Sequence, residues 1–159
     1  MQSTLTDLEC PECGKRFAAD RVQTICVDCK SPLLARYDLD MARHTIDPQT
    51  VTKRPRGLWR WAEILPGRDE TKRLTLGEGD TPLLPAQHLE NSFGLKNLLI
   101  KDESGNPTGS FKACGLAVAV SKVVELKIKG LVIPTAGNAG GALAAYAARA
   151  GLEAHVFMP

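Results

Sequence analysis

The distribution of hydrophobic and polar positions divides the chain into a polar first half and a more apolar second half. From residue 81 onward charged residues become sparse, and small and aliphatic residues replace them. Short apolar runs predict buried strands, and apolar positions at helical spacing predict buried helices. The predicted strands are 98–101 (LLIK), 131–134 (LVIP) and 154–158 (AHVFM); the predicted helices are 112–126 and 142–150.

The order of the last elements predicts the fold class. Strand 131–134 is followed by a glycine-rich turn at 135–141 (TAGNAGG), the alanine-rich helix 142–150, and strand 154–158. Gly151 is a typical helix stop. A strand, helix and strand in this order form a βαβ unit with parallel strands and a right-handed crossover. The sequence therefore predicts an α/β protein with a parallel sheet.

Two CxxC pairs mark the N-terminal part, which we predict to be a separate module over residues 1–37. The cysteines are Cys10, Cys13, Cys26 and Cys29, with twelve residues between the pairs. Zinc binds four thiolates in a tetrahedron, and CxxC supplies two sulfurs from one tight turn. Short strands are predicted at 16–18, 22–25 and 33–37. The pattern favours a structural zinc ribbon, because four thiolates leave no open position for substrate; a redox CxxC pair or unligated thiols are the alternatives.

Composition narrows the function classes. The 159 residues are 43% hydrophobic and 24% charged, with a formal net charge of +2. This charge is too small to argue for a nucleic-acid or anionic-membrane partner. The chain has neither a membrane-length apolar run nor a secretory signal pattern. We expect a cytoplasmic protein with a small-molecule partner, in which the polar, basic residues 38–80 connect the ribbon to a domain over 81–159.

Two turns, 104–112 and 135–141, follow predicted strands and precede helices, which is where α/β proteins bind ligands. Nucleotide-binding patterns fail in both turns. A phosphate-binding GxxxxGK[ST] pattern would need glycine where Ser110 stands, and GxGxxG would need it at Ala139. Backbone N–H groups at these helix starts are nevertheless suited to an anion.

Lys112 is the candidate reactive residue. It lies at the start of an apolar helix and next to Phe111. Desolvation and the positive end of the helix dipole both disfavour an ammonium there, and a neutral amine is the form that attacks an aldehyde. From the residues alone, a solvated lysine at a helix start is the alternative.

Three motifs carry a resemblance to a known family. KDESGNPTGSFK at 101–112 closely resembles the lysine motif of the fold-type II enzymes that use pyridoxal phosphate (PLP). GEGDTPL at 77–83 is similar to an element of threonine synthases, and TAGNAGG resembles the asparagine loop of the family. The CxxC pairs and the WRW segment ending in Leu65 and Pro66 are similar to many bacterial and archaeal threonine synthases.

The resemblance implies a function and its residues. Lys112 would bind PLP covalently and move protons, Asn138 would hydrogen-bond the 3′-oxygen of PLP, and Thr135 and Gly137 would face the α-carboxylate of the substrate. The implied reaction converts O-phospho-L-homoserine and water to L-threonine and phosphate. The alternatives are a related enzyme, such as a threonine dehydratase or cysteate synthase, and a non-catalytic zinc-ribbon module with a degenerate α/β remainder.

Two features depart from the family pattern. Cys114 stands where the family commonly has a basic residue. The second glycine-rich loop, which would hold the PLP phosphate, is expected beyond Pro159. We therefore expect these 159 residues to be the N-terminal fragment of a longer enzyme that can form a homo-oligomer when full length. The fragment alone is expected to be inactive.

Overall fold

The structure is a computed structural model that describes all residues from 1 to 159. Its N-terminal part is an antiparallel sheet in the order β2-β1-β3, formed by Leu5–Glu9 (β1), Arg16–Ala18 (β2) and Leu34–Tyr37 (β3). The strands predicted at 16–18 and 33–37 are confirmed, the second starting one residue later. β1 was not predicted, because its sequence LTDLE is mostly polar.

The strand predicted at 22–25 is wrong. In this segment only Ile25 pairs with another strand-like residue, in a single bridge to Pro32. The backbone turns around Cys26, whose N–H donates to Ser31 O at 2.9 Å and whose carbonyl accepts from Lys30 N at 3.0 Å. Because this turn reverses the chain immediately after Ile25, no longer ladder forms.

The segment predicted as a basic connection contains short helices. Leu39–Thr45 (α1) begins after Asp38, whose carboxylate accepts from Met41 N at 2.8 Å. Pro48–Val51 (α2) begins after Asp47, which caps it in the same way. Both starts carry a sequence signal, an Asp at the N-cap, and α2 also has proline at its first position. Two 3-10 turns follow at Leu58–Ile64 and Glu70–Lys72.

This segment fastens the N-terminal sheet to the rest of the chain. Thr4 N donates to Glu63 O at 2.8 Å, and the Arg68 guanidinium donates to Leu5 O at 2.6 Å. Glu63 also forms a nearly buried ion pair with Arg54, with a nitrogen–oxygen distance of 2.6 Å. The backbone N–H of Arg68 in turn donates to Glu125 Oε2 at 2.8 Å. One short stretch therefore contacts both halves of the chain.

The second half has the predicted α/β organisation. Its elements are Leu83–Pro85 (β4), Gln87–Phe93 (α3), Leu99–Lys101 (β5), Lys112–Glu125 (α4), Gly130–Pro134 (β6), Asn138–Ala150 (α5) and Glu153–Phe157 (β7). β6 and β7 are parallel, with Val132 opposite His155, and this confirms the βαβ pairing. β4 and β5 form a separate antiparallel pair. The three predicted strands are confirmed to within one residue.

The core lies between α4 and α5. Six buried residues form it: Ala113, Ala117, Val120, Leu143, Tyr146 and Ala147. Three alanines and a valine accompany Leu143 and Tyr146 in the two facing helices, so the helix backbones approach closely. None of the helices is long and apolar enough to cross a membrane.

The predicted boundary of the last helix is wrong by four residues. α5 begins at Asn138, so residues 138–141, which were predicted to lie in the glycine-rich loop, form the first turn of the helix. Gly140 explains the difference, because a Cβ at this position would lie 2.8 Å from Val156 Cγ1 and 3.1 Å from Thr135 Cγ2. Glycine therefore allows the helix to pack against β7, and this contact outweighs its low helix propensity.

Candidate functional site

Lys112 is the first residue of α4. Its backbone N–H donates to Ser110 Oγ at 3.3 Å, and the N-cap residue, Phe111, makes no side-chain hydrogen bond to the helix. The half-buried side chain places Nζ 4.3 Å from the centroid of the Phe111 ring. Nζ takes part in none of the ion pairs or hydrogen bonds of the chain, so the amine is uncommitted. A primary amine without a hydrogen-bond partner can form a Schiff base with an aldehyde.

The loop before Lys112 is held by partly buried hydrogen bonds. Asn106 is buried, its Nδ2 donates to Glu103 Oε2 at 2.7 Å, and its Oδ1 accepts from Gly79 N at 2.9 Å. Glu103 Oε1 accepts from the Thr81 hydroxyl at 2.7 Å. This hydroxyl, together with Asn106 and Lys101, holds the pKa of Glu103 below its usual range. The lysine loop is therefore fixed to the GEGDTPL segment.

A buried carboxylate links this segment to α5. Glu78 is fully buried, and its Oε2 accepts from the Tyr146 hydroxyl at 2.5 Å and from Leu76 N at 2.9 Å. Burial and the neighbouring carboxylate raise the pKa of Tyr146 well above its usual range. Sequence reasoning missed Glu78, Asn106 and Tyr146 as individual residues. The sequence did contain signals for them. Glu78 lies in the GEGDTPL motif, Asn106 lies in the KDESGNPTGSFK motif, and Tyr146 is the one aromatic residue in the alanine-rich helix.

The asparagine loop joins β6 to α5 and contains three of the predicted residues. Thr135 N donates to Phe157 O at 2.9 Å, and Thr135 Oγ1 accepts from Gly137 N at 3.3 Å. Asn138 is exposed at the first position of α5, which has no side-chain cap. A cavity of about 460 Å³ lies at the carboxyl ends of β6 and β7 and is lined in part by Thr135.

The structure brings the two predicted loops to neighbouring elements. α4 and α5 pack against each other, and α5 also contacts the turn at Pro107–Gly109 just before Lys112. No hydrogen bond or ion pair joins Lys112 to Thr135, Gly137 or Asn138. The Lys112 amine and the exposed Asn138 amide have the chemistry that fits the aldehyde and the ring oxygen of PLP, and each lies at the start of a helix. The individual roles of these residues stay predictions.

Cys114, two residues after Lys112 in α4, is half-buried. Its Sγ is 3.9 Å from Asn106 Oδ1. Burial raises the pKa of the Cys114 thiol, and the carboxylates of Glu103 and Glu78 raise it further. The thiol is therefore neutral and adds no positive charge to this region.

The four cysteines of the N-terminal sheet form one cluster. Their sulfur atoms all lie within 4.8 Å of one another, and Cys13 Sγ and Cys26 Sγ are 3.8 Å apart. A tetrahedron with a zinc–sulfur bond of about 2.3 Å requires sulfurs about 3.8 Å apart. Cys10 and Cys26 are buried, whereas Cys13 and Cys29 are exposed. The donor set and its dimensions fit a tetrahedral metal ion.

The protonation of the cluster depends on its hydrogen bonds. Backbone N–H groups of Cys29 and Asp28 lower the pKa of Cys26 to about 7. A hydrogen bond to Cys13 and burial raise the pKa of Cys29 to about 12. Cys26 is therefore the thiol that most readily becomes a thiolate, which is the form that binds a metal.

Comparison with known proteins identifies the class. Residues 74–159 match the family described as pyridoxal-phosphate dependent enzyme, which is more than half of the chain. The chain belongs to this family of PLP-dependent enzymes. The matched region begins within the predicted connecting segment, and the proposed domain boundaries at 37 and 80 stay a prediction.

The similar curated proteins are threonine synthases. The chain is 38% identical over 150 residues to threonine synthase of Methanocaldococcus jannaschii, covering 94% of this chain and 37% of the relative. It is 36% identical over 152 residues to that of Methanosarcina acetivorans, covering 96% and 36%. A third, from Halalkalibacterium halodurans, is 46% identical over 102 residues, covering 64% and 28%. The chain thus spans little more than a third of the length of the first two relatives.

Proposed function

We propose that this chain is part of a PLP-dependent threonine synthase, which converts O-phospho-L-homoserine and water to L-threonine and phosphate. The observation that carries the proposal is the Lys112 amine without a hydrogen-bond partner, within the family motif and at the start of a helix that packs against α5. The names of the similar proteins supply the product, threonine, and the family resemblance implies the substrate. The fold alone would not, because one fold serves many reactions.

In this proposal, three residues of the chain have separate roles in binding and catalysis. The Lys112 amine would hold PLP and move protons at the α-carbon of the substrate and at the carbon next to it. The Asn138 amide would donate to the 3′-oxygen of PLP and orient the ring. The Thr135 hydroxyl, whose oxygen already accepts from Gly137 N, has its own proton free to donate to the substrate carboxylate. PLP, when bound, supplies the electron sink that stabilises carbanions.

The N-terminal cluster would hold a structural zinc ion through Cys10, Cys13, Cys26 and Cys29. The 3.8 Å separation of Cys13 and Cys26 supports this assignment. Four protein ligands would complete the tetrahedron and leave no position for water or substrate, so the ion would stabilise the sheet rather than act in the reaction. A small sheet of this size has little core of its own, and metal binding would provide its folding free energy.

The surroundings proposed for the protein follow from the reaction. We place it in the cytoplasm, with an amino-acid phosphate as its small-molecule partner and neither nucleic acid nor membrane as a partner. A homo-oligomer is proposed for the full-length protein.

The test is turnover by the complete protein. Purified protein with PLP is given O-phospho-L-homoserine, and both inorganic phosphate and threonine are measured. The proposal predicts equal amounts of the two products, no turnover by Lys112→Ala, and normal turnover by Lys129→Ala. Lys129 serves as the matched control because it is an exposed lysine outside the two loops.

Two results would contradict the proposal. Keto-acid formation from threonine, without turnover of O-phospho-L-homoserine, would favour a threonine dehydratase. Failure of the complete protein to bind PLP at all would favour a non-catalytic zinc-ribbon protein.

A further inference from the structure

We propose that Glu78 and Tyr146 are positioning residues that fix the helix beginning at Asn138 against the loop that precedes Lys112. Neither side chain lines the 460 Å³ cavity, and neither has a role in the reaction described above. The structural part of this proposal stands on its own contacts, and its consequence for catalysis rests on the proposed function.

The contact joins distant parts of the chain inside the core. The Tyr146 hydroxyl donates to Glu78 Oε2 at 2.5 Å across 68 residues of sequence. Both side chains are fully buried. Tyr146 lies two helical turns after Asn138, on the buried face of α5 that also carries Ala142, Leu143 and Ala147. Its hydroxyl is the polar group on an otherwise apolar face, so it fixes the helix in rotation and along its axis.

Glu78 is itself held from the other side. Its backbone carbonyl accepts from Leu58 N at 3.0 Å, and its Oε2 also accepts from Leu76 N. The next residue, Gly79, lies so close to Leu58 that an added Cβ would be 2.8 Å from Leu58 N. Residues 78 and 79 are therefore packed tightly against Leu58. The hydrogen bond from Tyr146 to Glu78 consequently holds α5 against a segment that has little room to move.

The same segment continues to the lysine loop. Gly79 N donates to Asn106 Oδ1 at 2.9 Å, and Asn106 donates to Glu103 Oε2 at 2.7 Å. Asn106 lies six residues before Lys112. Consecutive buried and partly buried hydrogen bonds thus connect α5, which begins at Asn138, with the loop that leads into Lys112.

The energetics of Glu78 argue against a role in stability alone. Its second carboxylate oxygen, Oε1, is buried and has no hydrogen-bond partner. A buried polar atom without a partner is unfavourable, and an apolar pair of similar shape would pack the same space without this cost. What the carboxylate adds is a directed contact, which is what the alignment of two loops requires.

Hydrogen exchange of the complete protein without PLP or substrate tests the structural part. Tyr146→Phe removes only the hydroxyl, and Tyr37→Phe is the matched control in the N-terminal sheet. Loss of a hydrogen bond to a carboxylate should speed exchange roughly tenfold or more in residues 75–80 and 138–146. Exchange in β1–β3 and in the second half of α4 should not change. Tyr37→Phe should leave both 75–80 and 138–146 unchanged.

A second variant and a double variant make the test decisive. Glu78→Leu, which has no acceptor for the Tyr146 hydroxyl, should speed exchange in the same two segments. Tyr146→Phe should add little when it is combined with Glu78→Leu, because the contact is already absent in Glu78→Leu. Faster exchange spread evenly over the chain, a variant that does not fold, or unchanged exchange in both segments would each overturn the proposal.

A measurement of enzyme activity tests the catalytic part of the proposal separately. In Tyr146→Phe, turnover of O-phospho-L-homoserine should fall about tenfold while the bound PLP per chain stays the same. Unchanged turnover together with faster local exchange would overturn the positioning role. Absence of turnover in the unaltered protein, with the local exchange effect present, would count against the proposed function and not against the contact.

Discussion

Lys30 and Gly14 occupy equivalent places in the two cysteine turns, directly after the second cysteine of each pair. Both have a left-handed backbone, with φ of 60° at Lys30 and 71° at Gly14. In each turn the N–H of this residue donates to the carbonyl of the first cysteine, at 2.9 Å for Gly14 and 3.0 Å for Lys30. A residue with a Cβ is strained in this conformation, whereas glycine is not.

We therefore expect Lys30→Gly to stabilise the protein by about 1 kcal/mol. The substitution also removes a hydrogen bond from Lys30 Nζ to Val27 O, but that bond is exposed and contributes little. Denaturant unfolding of the complete, metal-loaded protein measures the change. Gly14→Ala is the matched opposite and should destabilise the protein by a similar amount, because alanine is strained at a φ of 71°. No steric clash adds to this strain, since the added Cβ has no atom within 4 Å. A stabilising Gly14→Ala would contradict this account.

Glu103 gives a prediction for pH. Its pKa is lowered chiefly by the Thr81 hydroxyl and also by Asn106. A lowered carboxyl pKa contributes stability above the unfolded value of about 4.3, and this contribution is lost as the pH falls through the folded value. We expect Glu103→Gln to reduce stability at pH 7 and to flatten the loss of stability below about pH 4.3. Asp20→Asn, on an exposed side chain, should change neither. A Glu103→Gln variant with the full acid slope would contradict the assignment.

At the scale of elements, the sequence was most informative where apolar runs were long. α4 was predicted at 112–126 and lies at Lys112–Glu125, and the parallel pair of β6 and β7 was predicted from the order of elements. Predictions failed where tertiary contacts decide. Gly140 and Gly141 indicated a turn, yet both lie in α5, because the packing of Gly140 on Val156 cannot be read from local propensity.

The two glycines of α5 allow a paired test. Gly140→Ala should destabilise the protein by about 1–3 kcal/mol, because its Cβ would overlap Val156 Cγ1 at 2.8 Å. Gly141→Ala should stabilise it by about 0.5–1 kcal/mol, because this exposed position has no atom within 4 Å of the added Cβ and alanine favours the helix. Thermal unfolding of the complete protein measures both. Equal effects of the two substitutions would show that α5 does not pack on β7 as described.

The candidate site was predictable only through its resemblance to a family. Physics alone left a solvated lysine as an alternative at Lys112, and spacing alone indicated zinc at the cysteines. The pair Glu78 and Tyr146 could not be predicted, because a contact across 68 residues depends on how α5 packs. Motifs therefore locate reactive groups, whereas the residues that align them become visible only in three dimensions.

At the scale of the whole molecule, the N-terminal sheet and the α/β part are joined mainly through residues 58–75. Arg68 contacts β1 through its guanidinium and α4 through its backbone N–H. Leu74 N donates to the buried Ser121 hydroxyl oxygen of α4 at 2.8 Å. These contacts are separate from the cysteine cluster, so the loss of metal should affect the two parts differently.

We expect native mass spectrometry of the complete protein to find one zinc ion per chain. Cys26→Ser or a strong chelator should remove the ion and the hydrogen-exchange protection of residues 1–37, because structural zinc contributes about 10–16 kcal/mol in small domains. Residues 81–159 should keep their protection. Cys114→Ser is the control and should keep the zinc, since this cysteine lies outside the cluster. A protein without metal but with an intact sheet would contradict the structural role.

The most direct test of the central claim is the chemical identity of the PLP-binding lysine. The complete protein is incubated with PLP, reduced with borohydride to fix the cofactor, digested and examined by mass spectrometry. We predict one pyridoxyl group per chain, on Lys112, and none in Lys112→Ala. A label on another lysine, such as Lys101 or Lys122, or no label at all, would contradict the assignment of Lys112 and the function proposed from it.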